Sequence, residues 1–311
     1  MSFFSVIIPL YNKENYIENT LKSVLDQTFT DYEVLIINDC SIDTSVSKAT
    51  SFLSEKITII HHNKNKGLSA TRNTGIKNAK SDYIAFLDAD DLWKPTFLET
   101  IKSLIDNFEE ALIYATNYEE LYFKKTIRPL NGSEVLFENF SGYINFFETN
   151  LKQGIYNHGS VCFQKNVFQK TGFYDENIDF AEDIDFNIRA NHHFKLAYSN
   201  SIQMSYLMQT ENQLTTSSIL NKRLPDFDKY NELSVDNISL QKYLDFERYV
   251  LSKHIKMDGD INLSKKISSS IDLKNLNWKQ KILLKLPSCV LRTIHKIKLF
   301  LVQNGLKLTS Y

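Results

Sequence analysis

A run of closely spaced carboxylates, Asp88-Ala89-Asp90-Asp91, directly follows the apolar residues 83–87. Hard divalent cations prefer such oxygen ligands, and alternate residues of an extended segment point the same way. Asp88 and Asp90 are therefore candidate ligands for a metal that keeps coordination positions open for diphosphate oxygens. The competing interpretation is a loop whose aspartates cap the next helix, because Pro95 suits an early helical position.

The segments around these carboxylates predict the sheet that positions them. Short apolar runs at 4–10, 33–38, 57–61, 83–87 and 111–116 are typical of buried strands. Apolar residues at helical spacing lie between them, at 17–25 and 97–108. Strands that alternate with helices predict an α/β fold with a mostly parallel sheet covered on both faces. The polar residues at 9–12, 38–41 and 88–91 follow strand ends, so we expect them to converge on one rim of the sheet.

The remainder of the chain predicts a less regular half and a helical extension. The sequence favours a helix around 144–151, a strand near 160–164, a helix from Glu182 and two strand-like runs at 195–199 and 202–208. Residues 117–217 are interpreted as the acceptor-facing half of a domain spanning 1–217, with 1–116 as its nucleotide-binding half. Residues 218–311 form a helical, basic C-terminal extension in this interpretation, with helices near 240–251, 278–286 and 290–302.

Charge is distributed unevenly along the 311 residues. Residues 274–311 contain eight Lys or Arg and no Asp or Glu, so they carry +8 and residues 1–273 carry −9, for a total of −1. Basic residues interleaved with apolar ones in 274–307 predict peripheral contact with an anionic membrane. The alternative is a helical subdomain with a solvated basic face. Nucleic-acid binding is disfavoured, because the rest of the chain is acidic and no recognition motif is present.

Cysteine usage and hydropathy indicate the compartment. Cys40, Cys162 and Cys289 are far apart and odd in number, which fits a reducing cytoplasm without zinc or a disulfide framework. The N-terminal apolar run is too short for a secretion signal, and no stretch approaches the roughly 20 apolar residues that span a bilayer. We expect a cytoplasmic protein, placed by its basic tail at the inner face of the cell membrane.

Five blocks of sequence, in this order and spacing, resemble family 2 inverting glycosyltransferases. The blocks are Val6-Ile-Ile-Pro-Leu-Tyr-Asn12, Glu33-Val-Leu-Ile-Ile-Asn-Asp39, Gly67 with Arg72-Asn73, Phe86-Leu-Asp-Ala-Asp-Asp91, and Glu182-Asp183. The similarity covers residues 3–215. It implies the GT-A (Rossmann-like) fold, a nucleotide-diphosphate sugar donor, and Mn²⁺ or Mg²⁺ as cofactor; family tendency favours a UDP-sugar.

The resemblance implies a role for particular positions in donor binding. Pro9, Tyr11 and Glu14 correspond to residues that border the base and ribose, and Asp39 to the carboxylate that accepts a hydrogen bond from the uracil N–H. Ser41 is a candidate helper. The alternative for Asp39 is an Asx-turn or a helix cap. Arg72 matches a residue near the diphosphate, and the alternative for Arg72 is a cation on a helix surface. Gly67 is expected to serve loop conformation.

The metal and the catalytic base are also implied by the resemblance. Asp88, Ala89 and Asp90 match the metal and ribose motif, with Asp90 the stronger candidate for coordination. Asp91 either binds metal through a water or supports the loop. Asp183 matches the general base and Glu182 its neighbour, and acids at a helix start are also favoured by the helix dipole.

The sequence departs from the family after the last core strand. Many relatives carry a histidine there, but residues 205–212 contain none, and Gln209 or Glu211 are candidates to replace it. This leaves the metal preference open. His158 is either a structural histidine or part of the acceptor site.

These observations predict an inverting, metal-dependent transferase that moves a sugar to a hydroxyl of a saccharide or lipid-linked saccharide, in bacterial surface polysaccharide biosynthesis. The alternative is a catalytically silent nucleotide-sugar-binding or scaffold protein of a polysaccharide assembly complex. A sugar-1-phosphate nucleotidyltransferase and a dinucleotide dehydrogenase are disfavoured, because residues 9–14 contain no glycine.

Overall fold

The computed structural model describes residues 2–122, 125–127, 129, 131–133, 136–211, 213, 217–303 and 306. Asn212, the last residue of the segment 205–212, and Lys307, the last residue of the basic segment 274–307, lie outside these residues. The strands are β1 (Phe4–Leu10), β2 (Tyr32–Asn38), β3 (Ile57–His61), β4 (Tyr83–Phe86), β5 (Leu92–Trp93), β6 (Ala111–Tyr122), β7 (Lys125–Ile127), β8 (Ser141–Ile144), β9 (Val161–Gln164) and β10 (Lys195–Leu207). The α-helices are α1 (Ile17–Leu25), α2 (Ser45–Thr50), α3 (Leu68–Asn78), α4 (Phe97–Asn107), α5 (Phe146–Thr149), α6 (Asn166–Thr171), α7 (Glu182–His193), α8 (Asn231–Ser234), α9 (Ile238–Asp258), α10 (Ile261–Ser269), α11 (Trp278–Lys285) and α12 (Ser288–Gln303).

One mixed sheet runs through the molecule in the order β3-β2-β1-β4-β9-β6-β10-β5, with β7 on β6 and β8 on β10. The five apolar runs predicted as strands are present as β1 to β4 and the first half of β6. The strands β3, β2, β1 and β4 are parallel. β9 lies between β4 and β6 and is antiparallel to both, so β6 runs in the same direction as β4 without pairing with it, and the sheet is mixed but mostly parallel, as predicted.

The two strand-like runs predicted at 195–199 and 202–208 form the single strand β10. The strand pairs with β6 in parallel, and its register shifts between Ser199 and Ile202. The polar residues Asn200 and Ser201 therefore mark an irregularity within one strand rather than a break between two.

Alternating side chains of the central strands build a core on each face of the sheet. Ile7 of β1 belongs to one buried cluster, whereas Val6 and Ile8 belong to the other. This alternation follows from the two-residue period of a strand. Because both faces are buried, the strand sequence Phe4–Leu10 is almost entirely apolar.

The C-terminal helices begin as part of this core. Leu240, Tyr243 and Leu244 of α9 are buried in the same cluster as Ile7, together with Phe146 and Phe147 of α5. The helices α10, α11 and α12 pack on α9. Within the described part of the chain, no helix has the length and hydropathy needed to cross a bilayer.

Candidate active site

A cavity of about 640 Å³ opens at the edge of the sheet where β1, β2 and β4 end. All three polar loops predicted to converge contribute to it. The predicted site residues that line it are Pro9, Tyr11, Asp39, Arg72, Asp88, Ala89, Asp90, Glu182 and Asp183. Helix α9 also contributes to the wall of the cavity, through Tyr243, Phe246, Glu247, Val250, Leu251 and His254.

Asp39 organises the loop that leads into α3. Its Oδ1 accepts hydrogen bonds from the Lys66 backbone N–H (2.8 Å) and from His62 Nδ1 (2.7 Å), and its Oδ2 accepts one from the Gly67 N–H (2.9 Å). Gly67 has φ of 88°, which favours glycine. A carboxylate offers about four acceptor positions, so Oδ2 retains one that can face the cavity. The predicted contact with a uracil N–H is compatible with this arrangement and stays a prediction.

Glu14 and Ser41 connect two loops outside the cavity wall. Glu14 Oε2 accepts hydrogen bonds from the Thr44 backbone N–H (3.0 Å) and hydroxyl (2.5 Å). These bonds lower the pKa of Glu14. The Ser41 hydroxyl accepts a bond from the Asn12 N–H (3.1 Å). Neither residue is among those that line the cavity, so their geometry supports loop bracing rather than the predicted contact with the donor.

The three aspartates after β4 have different environments. The Asp88 side chain is 30% exposed and faces the cavity; burial raises its pKa, while the Arg72 charge opposes the rise. Asp90 also lines the cavity. Asp91 is fully buried: its Oδ1 accepts the Leu207 N–H (2.9 Å), and Oδ2 has no partner among the described residues. Burial raises the pKa of Asp91 well above its usual value. Of the two roles predicted for Asp91, this position fits loop support rather than water-mediated metal binding.

The ammonium group of Lys13 forms an ion pair with Asp90. The sequence did not indicate Lys13 as a residue of the site. Its Nζ lies 2.6 Å from Asp90 Oδ2 and also donates to the Glu211 carbonyl (2.8 Å). The Thr210 hydroxyl donates to the same carboxylate oxygen (2.5 Å). Asp90 is separated from Lys13 by 77 positions and from Thr210 by 120. No local sequence signal could have paired them.

Gln209 and Glu211, the candidates to replace the family histidine, are not among the residues that line the cavity. Gln209 has φ of 66°, and its backbone N–H donates to the Gln213 side chain (2.9 Å). The Glu211 carboxylate accepts a bond from Asn15 Nδ2 (3.0 Å). Neither residue lines the cavity.

Arg72 links the two acidic groups of the site. It is 2% exposed on α3, where its Nη1 donates to Glu182 Oε1 (2.6 Å) and its Nη2 to Asp88 Oδ1 (3.3 Å). Its guanidinium also lies over the Tyr174 ring, 5.5 Å from the centroid. The predicted position near the diphosphate is possible, since Arg72 lines the cavity. The alternative of a surface cation is wrong, because the side chain is buried.

Asp183 lies at the start of α7, after Ala181 has turned the chain with a left-handed φ of 61°. Burial and the neighbouring Glu182 raise the pKa of Asp183 to about 6, although Arg72 acts in the opposite direction. Glu182 itself is buried and held by Arg72. A carboxylate that titrates near neutrality and opens to a cavity is suited to general base catalysis.

His158 is packed as a structural histidine and also lines the cavity, and its part in an acceptor site stays a prediction. Its Nε2 lies 3.0 Å from the Tyr174 hydroxyl, its ring packs 4.9 Å from that of Phe86, and the residue also lines the cavity. Burial and the Arg72 charge hold the pKa of His158 well below its usual value. His158 is therefore neutral near pH 7.

The donor set at Asp88 and Asp90 fits a Mn²⁺ or Mg²⁺ ion that shares its coordination with a diphosphate. The Lys13 ammonium already occupies a cation position on Asp90. No cluster of three or more His, Cys, Asp or Glu able to hold a metal occurs among the described residues. A metal held by two carboxylates would take its remaining ligands from phosphate oxygens and water, as Mg²⁺ sites with phosphate substrates commonly do.

The structure shows an α/β fold with a cavity lined by carboxylates at the ends of its strands, and comparisons with known proteins identify the family. The family model for Glycosyl transferase family 2 matches residues 5–172. The chain belongs to this family, and its fold is the GT-A fold. Residues 1–349 of S. aureus TarS in complex with UDP-GlcNAc have a TM-score of 0.62 at 16% identity, over 88% of this chain and 77% of that one.

Two curated relatives are similar to parts of the chain. The glycosyltransferase GlyA of Streptococcus pneumoniae serotype 4 is 34% identical over 151 residues, which is 47% of this chain and 22% of GlyA. The UDP-Glc:alpha-D-GlcNAc-diphosphoundecaprenol beta-1,3-glucosyltransferase WfgD of Escherichia coli is 36% identical over 115 residues, 37% of this chain and 45% of WfgD. The chain thus spans less than half the length of either relative in these matches.

Proposed function

We propose that this chain transfers a sugar, with inversion, from a nucleotide-diphosphate sugar to a hydroxyl of a saccharide or lipid-linked saccharide in bacterial surface polysaccharide assembly. The observation that carries the proposal is one cavity lined by Asp183 and by Asp88 and Asp90. Arg72 connects Glu182, the neighbour of Asp183, with Asp88. A displacement reaction needs a base and a site for the leaving group around the same substrate, and this cavity holds candidates for both.

Asp183 is the proposed general base. As the acceptor oxygen attacks the anomeric carbon, its proton passes to the Asp183 carboxylate, and the bond from the anomeric carbon to the diphosphate oxygen breaks. A single displacement from an α-linked donor gives a β-glycoside. The Glu182–Arg72 pair fixes the start of α7 and so orients the neighbouring carboxylate.

Besides a base, the transfer reaction requires positive charge near the departing diphosphate. Asp88 and Asp90 are the residues that would hold a divalent cation, which when bound stabilises negative charge on the departing diphosphate. Lys13 and Arg72 both line this part of the cavity. A cation bound to Asp90 must compete with the ammonium of Lys13 for the same carboxylate.

Uridine is the favoured base of the donor. Support comes from TarS, which resembles this chain in fold and is described in complex with UDP and UDP-GlcNAc, and from WfgD, whose name specifies UDP-Glc as donor and a GlcNAc-diphosphoundecaprenol as acceptor. In this chain, Asp39 Oδ2 can accept one more hydrogen bond, and the uracil N–H would donate it.

Nucleotide release from UDP-, GDP- and dTDP-sugars, with Mn²⁺, Mg²⁺ or EDTA, tests the proposal. We expect turnover of a UDP-sugar that EDTA, Asp90→Ala and Asp183→Asn each abolish. Asp106→Asn changes an exposed aspartate on α4 whose ion-pair partner among the described residues is Lys102; it is the matched control and should behave as the wild type. Donor binding without turnover, also in the presence of lipid-linked acceptors, would contradict catalysis and favour a silent sugar-binding protein.

The basic C-terminal helices are the proposed contact with an anionic membrane. Helices α11 and α12 expose six large apolar side chains, namely Trp278, Ile282, Val290, Ile294, Ile297 and Phe300. The exposed cations Lys279, Lys285, Arg292 and Lys296 lie on the same two helices. Val290, Ile294 and Ile297 share one helical face, and Leu291 of α12 is buried on the protein side. Apolar and cationic residues side by side fit the interface of an anionic bilayer.

Co-sedimentation with vesicles tests this contact. We expect binding to phosphatidylcholine vesicles only when they contain phosphatidylglycerol, and weaker binding when the four cations are changed to Gln, at about 1 kcal/mol for each charge. The exposed pair Lys242→Gln and Val235→Ser, outside these helices, serves as control. Equal binding to neutral vesicles, or none to anionic ones, would contradict the proposal.

A further inference from the structure

Part of the cavity wall is made by α9, which lies beyond the residues that match the family model. The family match ends at 172, whereas α9 covers Ile238–Asp258. Its residues Tyr243, Phe246 and Glu247 are buried and line the cavity. This part of the chain therefore supplies surface to the site that the family motifs do not.

Glu247 is an unusual residue for a buried wall. It is 7% exposed, and no lysine, arginine or histidine among the described residues forms an ion pair with it. Its neighbours on the helix, Asp245 and Arg248, are paired with each other at 3.0 Å. Burying a charged carboxylate without a counterion is costly, and an acid with a perturbed pKa in a cavity is a candidate for a binding role.

The surroundings of Glu247 keep it neutral and connect it to the proposed base. Burial raises the pKa of Glu247 to about 8; a hydrogen bond from Tyr243 opposes the rise, and the charge of Asp183 adds to it. Asp183 and Glu247 are thus close enough to interact electrostatically. A neutral carboxylic acid has one donor and several acceptor positions, which matches the hydroxyl groups of a sugar.

Aromatic side chains line the same cavity as Glu247. The rings of Phe146 and Tyr243 lie 5.3 Å apart, and those of Phe146 and Tyr156 lie 5.6 Å apart. All three residues line the cavity, as do Phe227 and Phe246. Apolar ring surfaces with a few placed polar groups are the usual composition of a small-molecule site, and a pyranose has apolar C–H faces bordered by hydroxyls.

We propose that the α9 wall is the acceptor subsite, in which Glu247 hydrogen-bonds a hydroxyl of the acceptor pyranose and thereby positions the neighbouring hydroxyl for Asp183. The aromatic side chains of Phe146, Tyr243 and Phe246 hold the ring of that sugar. Glu247 is a positioning residue, since Asp183 takes the proton. The proposal rests on the transferase function above and adds to it the part of the chain that selects the acceptor.

Saturation-transfer NMR tests the subsite without requiring turnover. The probes are the methyl β-glycosides of glucose, galactose and N-acetylglucosamine, each with the protein saturated by UDP. We expect at least one glycoside to bind the wild type, and Glu247→Ala to weaken its Kd about ten-fold, equivalent to about 1.4 kcal/mol. Glu247→Gln keeps a neutral donor and acceptor and should restore most of the binding. Glu232→Gln, an exposed glutamate on α8, is the matched control.

The outcomes separate this subsite from the proposed function. Binding that is equal in Glu247→Ala and wild type, or no glycoside binding by the wild type, overturns the subsite whatever the transferase activity. If a UDP-sugar is turned over, the acceptor KM should rise in Glu247→Ala while the Kd of UDP stays within about two-fold, about 0.4 kcal/mol. A parallel loss of UDP affinity would indicate a purely structural role. Should Glu247→Ala fail to fold, two other variants take its place. Tyr243→Phe removes the hydroxyl that bonds Glu247 and should weaken glycoside binding, whereas Glu247→Gln should keep most of it. Equal binding by both variants would overturn the subsite.

Discussion

At the scale of single residues, the chemistry proposed for the site depends on how charges are arranged around Asp183. Burial and Glu182 destabilise its charged form, and Arg72 stabilises it. Arg72 is in turn fixed by Glu182 and Asp88. The proposed base and the carboxylates of the proposed leaving-group site are therefore coupled through one buried guanidinium, and changes at one residue should be measurable at another.

The rate of sugar transfer should depend on the protonation of Asp183. Since only the carboxylate can accept a proton and its pKa is raised to about 6, we expect kcat/KM to fall about ten-fold for each pH unit below about 6. Asp183→Asn should lower kcat by about 10²–10⁴-fold. A pH–rate profile from about pH 4.5 to 8.5 checks this, with Asp106→Asn as control.

Glu182→Gln distinguishes Asp183 from any other group that titrates in this range. The amide oxygen of the variant can still accept from Arg72, but the negative charge that raises the pKa of Asp183 is gone. We expect the acidic limb of the profile to move to lower pH while the rate on its plateau changes less. A limb that does not move would assign it to another residue.

Arg72→Lys should weaken nucleotide binding although the charge is conserved. A lysine has one ammonium and cannot reach Glu182 and Asp88 together as the planar guanidinium does. We expect the Kd of UDP to rise about ten-fold, equivalent to about 1.4 kcal/mol, measured by calorimetry.

Arg189→Lys is the matched control for this change. Arg189 bonds to Asp185 (2.9 Å) and to the Thr171 carbonyl (2.6 Å), and it does not line the cavity. Its replacement should lower thermal stability without changing the Kd of UDP. If both variants bound UDP as the wild type does, Arg72 would have no role near the diphosphate.

At the scale of elements, α3 carries Arg72 and its position depends on close contact with β1. A Cβ atom at Gly75 would overlap the Ile7 side chain, so no larger residue fits there without a shift of the helix. We expect Gly75→Val to lower the free energy of unfolding by about 1–3 kcal/mol and to displace Arg72. Urea unfolding and the Kd of UDP measure the two effects.

Asn78→Val controls for the helix propensity of valine. Asn78 is exposed on the same helix, and asparagine and valine have similar propensities, so the change in stability should stay within about 0.5 kcal/mol. A similar loss in both variants would show that the helix, not its packing on β1, is affected.

The sequence predicts which segments form strands better than it predicts which strands pair with each other. The strands β1 to β4 are apolar runs bounded by polar loops, because strands covered on both faces need apolar residues throughout. The position of β9 between β4 and β6 depends on tertiary packing, and no local sequence pattern indicates it. The register shift in β10 likewise depends on its pairing with β6.

The site could be predicted where motifs carry it and not where distant segments meet. The positions of Asp88, Asp90 and Asp183 at one cavity follow from the resemblance and are seen in the structure. Lys13 reaches Asp90 only because the chain folds. Glu247 belongs to a helix predicted as part of a C-terminal extension, so its place in the same cavity as Asp183 could not be inferred from its surroundings in the sequence.

At the scale of the whole molecule, buried acids make folding depend on pH. Glu247 keeps its proton to about pH 8 in the folded chain, whereas its ordinary value is 4.5. Between these values the folded state binds more protons than the unfolded state. The stability contributed by this group is therefore fully present below about pH 4.5 and is lost as the pH rises toward 8.

Glu247→Gln should remove this contribution to the pH dependence. Each pH unit in the window costs the wild type up to about 1.4 kcal/mol through this group, and an amide does not titrate. We expect the free energy of unfolding from urea titrations to fall less steeply from pH 5 to 8 in Glu247→Gln than in wild type. Glu232→Gln, which changes an exposed carboxylate, should keep the wild-type slope. Parallel slopes for all three proteins would mean that Glu247 is ionised in the folded chain, and the neutral donor assigned to the acceptor subsite would then be absent.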